Sequence, residues 1–86
     1  MPTQNYARLD IMFAKDAAMS EPDLRKTLEA QGFSVSRLHY RLIDDGTRLE
    51  YRTMLHTADA GNYNRLSRAL LANPVVVEFR ISPAND

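Results

Sequence analysis

The chain contains no cysteine. It therefore has no disulfide framework, no thiolate nucleophile and no Cys-ligated zinc, a composition that fits a reducing compartment. It also lacks any apolar run approaching the length of a membrane span. The opening Met1-Pro2-Thr3-Gln4-Asn5 lacks the charged-then-apolar order of a secretory signal, so a soluble chain is expected, with no direct membrane insertion by this segment. An excess of one charge is missing too. Eleven basic and eleven acidic residues cancel, which removes the positive field of a general nucleic-acid binder. Lysine is scarce: nine of the eleven bases are arginine, the side chain favoured where planar groups are clamped or partly buried, and this bias points to an interaction surface.

What is present is a complete grammar for one small domain. Eighty-six residues suit a single domain over 1–86, with an ordered core over about 6–83. The most informative stretch is Leu38 to Thr53, a hairpin folded at Asp45-Gly46. With those two residues at the centre of a type I′ turn, Leu42 opposes Leu49, Tyr40 opposes Tyr51 and Leu38 opposes Thr53 on an apolar face. Arg41 then opposes Glu50, and His39 opposes Arg52, on a charged one. A slip of one residue would destroy both patterns.

Tyr6 to Phe13 alternates strictly, with Ala7, Leu9, Ile11 and Phe13 on one side, and reads as a strand. Ser20-Glu21-Pro22-Asp23 supplies an N-cap, a first-turn proline and acids at the positive end of a helix dipole. That helix continues through Leu28 and stops at Gly32, with Phe33 placed to touch Leu28 in a Schellman arrangement. Ser34 to Ile43 forms the second strand. Val35 is out of phase with Leu38, Tyr40 and Leu42, so a bulge is expected near Ser36 and Arg37. The third strand runs from about Arg48 to Thr57. A turn with Asp59 and Gly61 leads to a second helix, with Tyr63, Leu66 and Leu70 as its buried stripe and Arg65 and Arg68 wet. Asn73-Pro74 ends it. In the last strand Val75, Val77, Phe79 and Ile81 alternate with Val76, Glu78 and Arg80, before a tail from Ser82 to Asp86. The order β-α-β-β-α-β predicts an α+β class: a ferredoxin-like sandwich with a four-stranded antiparallel sheet and two helices on one face.

Reaction chemistry is absent, so no enzyme is expected. The sheet face away from the helices collects Arg8, Arg37, Arg41, Arg48, Arg52 and Arg80 against Asp10, Glu50 and Glu78. That net-basic face is the candidate docking face for an acidic partner, a phosphate-bearing ligand or a membrane-associated domain. The plainer account is a solvated face whose cross-strand pairs contribute roughly 0.2 to 1 kcal/mol each. RNA recognition on such a sheet needs aromatics on the central strands, and only Tyr6 is aromatic on the outward side of the first and third strands, so nucleic acid is disfavoured. His39 and His56 fall about 13 Å apart at strand rise and cannot share a metal. Asp44 and Asp45 are explained by turn chemistry, and no metal or other cofactor is expected. The loop after the first strand, Ala14-Lys15-Asp16-Ala17-Ala18, lacks the glycine of the ferredoxin-like acylphosphate hydrolases, and this also weakens an ACT-like metabolite sensor. Lys15 and Asp16 are the candidate ligand loop of that alternative reading, with a dimer seam as its other location.

Tyr6-Ala7-Arg8-Leu9-Asp10, the helix from Leu24 to Leu28, Arg48-Leu49-Glu50-Tyr51 and the closing Val77-Glu78-Phe79-Arg80-Ile81-Ser82-Pro83 resemble the C-terminal domain of the MgtC/SapB family. The similarity runs from about Tyr6 to Pro83. It implies an ACT-like cytoplasmic domain of a bacterial inner-membrane protein, preceded in the family by a bundle of transmembrane helices. It further implies association with growth at low magnesium and with virulence, through survival inside host phagocytes. The implied role is noncatalytic, accessory or regulatory, on the cytoplasmic side of the inner membrane. The partner would be the protein's own membrane-embedded domain or another protein chain, a homodimer included. The family offers no site motif here, so no binding residue is carried over, and the scattered acids do not form a magnesium cage.

Overall fold

In the computed structural model, which describes residues 5–83, the chain forms β1 (Asn5–Ala14), a 3-10 turn (Lys15–Ala17), α1 (Glu21–Ala30), β2 (Ser34–Val35), β3 (His39–Ile43), β4 (Arg48–Thr57), α2 (Asn62–Leu71) and β5 (Val76–Pro83). Met1 to Gln4, and the Ala84 to Asp86 end of the tail, lie outside the described residues. β1 lies at the centre between β4 and β5, β2 and β3 both pair with β4, and every pairing is antiparallel. Among the described residues no helix is long and apolar enough to cross a membrane.

The sheet has five strands rather than the expected four, and the cause is the anticipated bulge. Ser34 and Val35 pair with His56 and Leu55, whereas His39 pairs with Arg52, so the register slips by one residue between them. The slip turns Val35 and Leu38 to the same inner side despite their opposite parity. Thr53 stabilises it, its hydroxyl lying 3.2 Å from the Ser36 carbonyl and 3.3 Å from that of Arg37. A polar side chain on an otherwise apolar face thus meets the carbonyls that the bulge removes from the ladder.

Inward residues of the strands and both helices share one core. Leu9, Phe13, Leu24, Leu28, Leu55 and Leu66 are fully buried in it. Ser20 caps α1, its hydroxyl accepting from the Asp23 N–H at 3.3 Å. The helix ends as predicted, with Gly32 N donating to Glu29 O and Phe33 N to Leu28 O, the two bonds of a Schellman motif. In α2 the most buried positions are Asn62, Leu66 and Leu70, while the predicted Tyr63 is half-buried. Asn62 owes its place to a hydrogen bond from its Nδ2 to Thr57 Oγ1 at 2.9 Å, which a purely apolar helix stripe does not reveal.

Two expectations about the core are corrected. Tyr40 and Leu42 do point to the helix side, in the predicted register with Tyr51 and Leu49, but they are 64% and 53% exposed. Both lie on β3, outside β4 at the edge of the sheet, while residues at the same level on β4 and β1 such as Tyr51, Ile11 and Phe13 are buried, so the helices cover the middle strands and leave this edge open. Tyr51, directly opposite Tyr40 and one strand nearer the centre of the sheet, is buried, and its ring meets both Phe13 and Tyr40 edge-on with centroids 6.0 Å apart. The second correction concerns β5. Val76, not Val77, pairs with Phe13, because the β1–β5 register shifts between Met12 and Phe13; Val77 becomes the extra residue and is 47% exposed. The hairpin turn is also longer in its left-handed character than Asp45-Gly46 alone, since Asp44 shares the positive φ.

Two of the tyrosines are set apart by burial. Tyr51 donates to the Met19 carbonyl at 2.8 Å, and its pKa is raised by burial, then by Glu21 and Tyr40. Burial alone raises that of Tyr63. Raised folded values favour the protonated phenol, so the associated stability is complete below the unfolded value of about 10 and is lost as pH rises through the folded values. Urea unfolding between pH 9 and 11 is expected to show a falling midpoint, and the fall is expected to shrink in Tyr51→Phe and Tyr63→Phe. An unchanged slope in both variants would refute the assignment.

Candidate docking surface

The sheet face away from the helices is built from three cross-strand rows. Ser82, Arg8 and Met54 form the first; Arg80, Asp10, Arg52 and His39 the second; Glu78, Met12, Glu50 and Arg41 the third. Strand alternation on β1 and β4 puts these residues outward because Leu9, Ile11, Tyr51 and Leu55 are held inward by the core. All six predicted arginines lie on this face or its rim, but they are not equivalent.

Four of them already hold a carboxylate. Asp10 is the hub: one of its oxygens accepts from Arg52 Nε at 2.7 Å, and the other lies 3.3 Å from Arg8 Nε. The hydrogen bond to Asp10 is the first cause holding Arg52 more firmly protonated than an ordinary guanidinium, with the charge of Asp10 next. Arg41 Nε donates to Glu50 at 2.9 Å, and Glu50 itself is buried. Arg48 lies 3.6 Å from Asp44, and its Nη1 reaches the Met12 sulfur at 3.9 Å. The remaining two, Arg37 and Arg80, hold no carboxylate among the described residues. The residue pattern gave the membership of the face but not this division, because Asp10 has arginines beside it on its own strand and opposite it on both neighbours.

Three shallow depressions mark the face. One of about 280 Å³ lies between Arg8, Asp10, Glu50, Glu78 and Arg80. Another of about 220 Å³ is lined by Arg8, Arg37, His39 and Met54, and a third of about 110 Å³ by His39, Tyr40 and Arg41. Lys15 and Asp16, the alternative ligand loop, sit in the exposed 3-10 turn and line none of these three. The turn is tied down by its backbone, Lys15 N donating to Thr47 O at 2.9 Å. Tyr6, the outward aromatic, stacks at a tilt on His56 with centroids 5.2 Å apart. His39 lies on the other side of Arg52 from β1, two outward rows from that pair. Among the described residues no three His, Asp or Glu side chains converge as metal ligands would. Chemically the surface offers guanidinium donors spaced around fixed carboxylates, suited to carboxylates or phosphates on another surface.

No protein-family model matches the chain, and no curated protein matches it. Among solved structures, the C-terminal domain of the MgtC protein from Mycobacterium tuberculosis is similar with a TM-score of 0.69 at 12% identity, over 93% of this chain and 87% of that one. A Bacillus cereus protein related to NIF3 is similar with a TM-score of 0.50 at 15% identity; all of this chain is covered, and it spans 28% of that chain. At these identities the likeness is one of fold. The α+β fold expected from the residue pattern is the one the MgtC domain has.

Proposed function

We propose that the chain is a noncatalytic accessory domain of an MgtC/SapB-like bacterial membrane protein, acting on the cytoplasmic side of the inner membrane. It docks on the membrane-embedded part of that protein through the open sheet face. Fold alone selects no activity, so the reading rests on a feature of this chain's own surface. That feature is the pair of uncommitted guanidinium groups, Arg37 and Arg80, at opposite sides of a face whose other arginines are held in place by Asp10, Glu50 and Asp44. Fixed neighbours keep the surface shaped, and the two uncommitted cations supply the attraction for an acidic counterpart.

In-cell photo-crosslinking tests this. A photoreactive side chain at position 37 is expected to capture a membrane-embedded protein, identified by mass spectrometry, whereas the same group at Lys26, exposed on α1, is expected to capture none. Equal capture from both positions, or none from position 37, would overturn the proposal. So would saturable micromolar binding of an amino acid, a nucleotide or Mg²⁺ in calorimetry, which is the result the metabolite-sensor reading requires.

A further inference from the structure

β5 is the outer strand of the sheet and pairs with β1 on one side only. An outer strand with a free row of backbone donors and acceptors is a template for another strand, unless something on it discourages pairing. On the open face β5 carries Glu78 and Arg80, two residues apart, of opposite sign and both exposed. Neither makes an ion pair among the described residues. Arg80 lies directly opposite Asp10 across the β1–β5 ladder, yet the Asp10 oxygens are engaged by Arg8 and Arg52.

We propose that β5 pairs antiparallel with β5 of a second copy of this chain about a two-fold axis at Phe79. In that register Glu78 of each copy opposes Arg80 of the other, so one pair of uncommitted charges becomes two reciprocal ion pairs. Val77, exposed as the extra residue of the bulge, opposes Ile81; Val76 opposes Ser82; Phe79 opposes itself on the helix side. Opposite charges directly across an antiparallel pair are favourable and like charges are not. That rule selects both the register and the edge. An axis at Glu78 would set Glu78 against itself, and one at Arg80 would set Arg80 against itself. The other edge is shared by the two-residue β2 and by β3; on β3 an axis at Arg41 opposes two arginines, and one at Tyr40 opposes Arg41 to His39. Pro83, which cannot donate to a ladder, falls outside the paired span. The interface is isologous and closes at two copies. It leaves all four helices on one side of a continuous sheet and doubles the arginine-bearing face on the other. The pairing engages Arg80 with Glu78 of the second copy and leaves Arg37 as the uncommitted cation of each copy's face for the docking proposed above.

Sedimentation equilibrium from about 10 µM to 1 mM tests the pairing, with circular dichroism confirming that each variant is folded. The wild-type chain is expected to dimerise with concentration. Glu78→Arg and Arg80→Glu, each placing like charges opposite one another twice, are expected to weaken the dimer at least about tenfold, and the double exchange to restore it. The absence of cysteine permits an independent measurement. Directly opposed residues have Cβ atoms about 4.5–5.5 Å apart, near disulfide reach, whereas diagonal ones are about 7–8 Å apart. Mixed Glu78→Cys and Arg80→Cys chains should therefore oxidise to a mixed disulfide dimer, and neither chain should do so alone. A monomer throughout the concentration range, single reversals without effect, a double exchange that fails to restore the dimer, or crosslinking by either cysteine chain alone would each overturn the proposal.

Discussion

Replacing Phe13 with alanine is expected to remove a large share of the stability of this domain, from about a quarter to all of it. Phe13 is fully buried at the centre of the sheet, where β1 pairs with both β4 and β5, and its ring meets Tyr51 at an interplanar angle of 76°. Truncating a buried phenylalanine costs about 3–5 kcal/mol, the sum of lost transfer energy and a cavity that the surroundings fill only in part. Domains hold roughly 0.05–0.15 kcal/mol per residue, which for this length is about 4–13 kcal/mol in total. The urea midpoint should therefore fall by about a quarter or more, and a chain near the lower end would be unfolded in buffer. Two comparisons make the result specific to the register. Val76→Ala removes a side chain packed against the core beside Phe13, and should cost more than Val77→Ala, which should stay within about 0.5 kcal/mol as an exposed substitution. Equal losses at 76 and 77 would refute the bulge in β5.

That bulge marks where the residue pattern stopped being decisive. Val75-Val76-Val77 is apolar at three consecutive positions, so no period distinguishes the inward member, and only the pairing of Val76 with Phe13 does so. The same limit explains Tyr40. Parity around Asp45-Gly46 identifies the side of the sheet, and the observed partners agree at every position from His39 to Leu42. Parity does not state how far the helices reach across the sheet, and they leave its β3 edge uncovered. The caps of α1 and the first bulge were legible because each is specified by neighbours in sequence: Ser20 three residues before Asp23, Gly32 after the last helical turn, Val35 out of phase with Leu38. The ends of β5 were not, since it runs from Val76 through Ser82 and Pro83, which read as tail. The charged face was legible as a set for the same reason. Its division into committed and uncommitted arginines was not, because the choice Asp10 makes among Arg8, Arg52 and Arg80 depends on side-chain reach across two ladders.

Gly32→Ala is expected to cost about 2–3 kcal/mol, a large loss for an exposed position. Two independent constraints meet there. Gly32 has φ +93°, a left-handed conformation that costs an L-residue about 1–2 kcal/mol, and it supports the Schellman bonds that close α1. A Cβ built on it would overlap Asn62 Nδ2 and lie 3.1 Å from Asn62 Cγ. Asn62 is buried and donates to Thr57, so yielding to the methyl group breaks a hydrogen bond worth about 1 kcal/mol and loosens the join between α2 and the end of β4. Phe33, next in sequence, packs its ring 5.2 Å from Tyr63 and carries the disturbance into the contact between the two helices. The two terms can be separated. With Asn62→Ala the obstruction is gone, and Gly32→Ala should then cost only the backbone term. A double-mutant cycle followed by urea denaturation should give a coupling of about 1 kcal/mol or more between positions 30 apart in sequence. Additive losses would show that backbone conformation alone requires glycine here and that Asn62 yields freely.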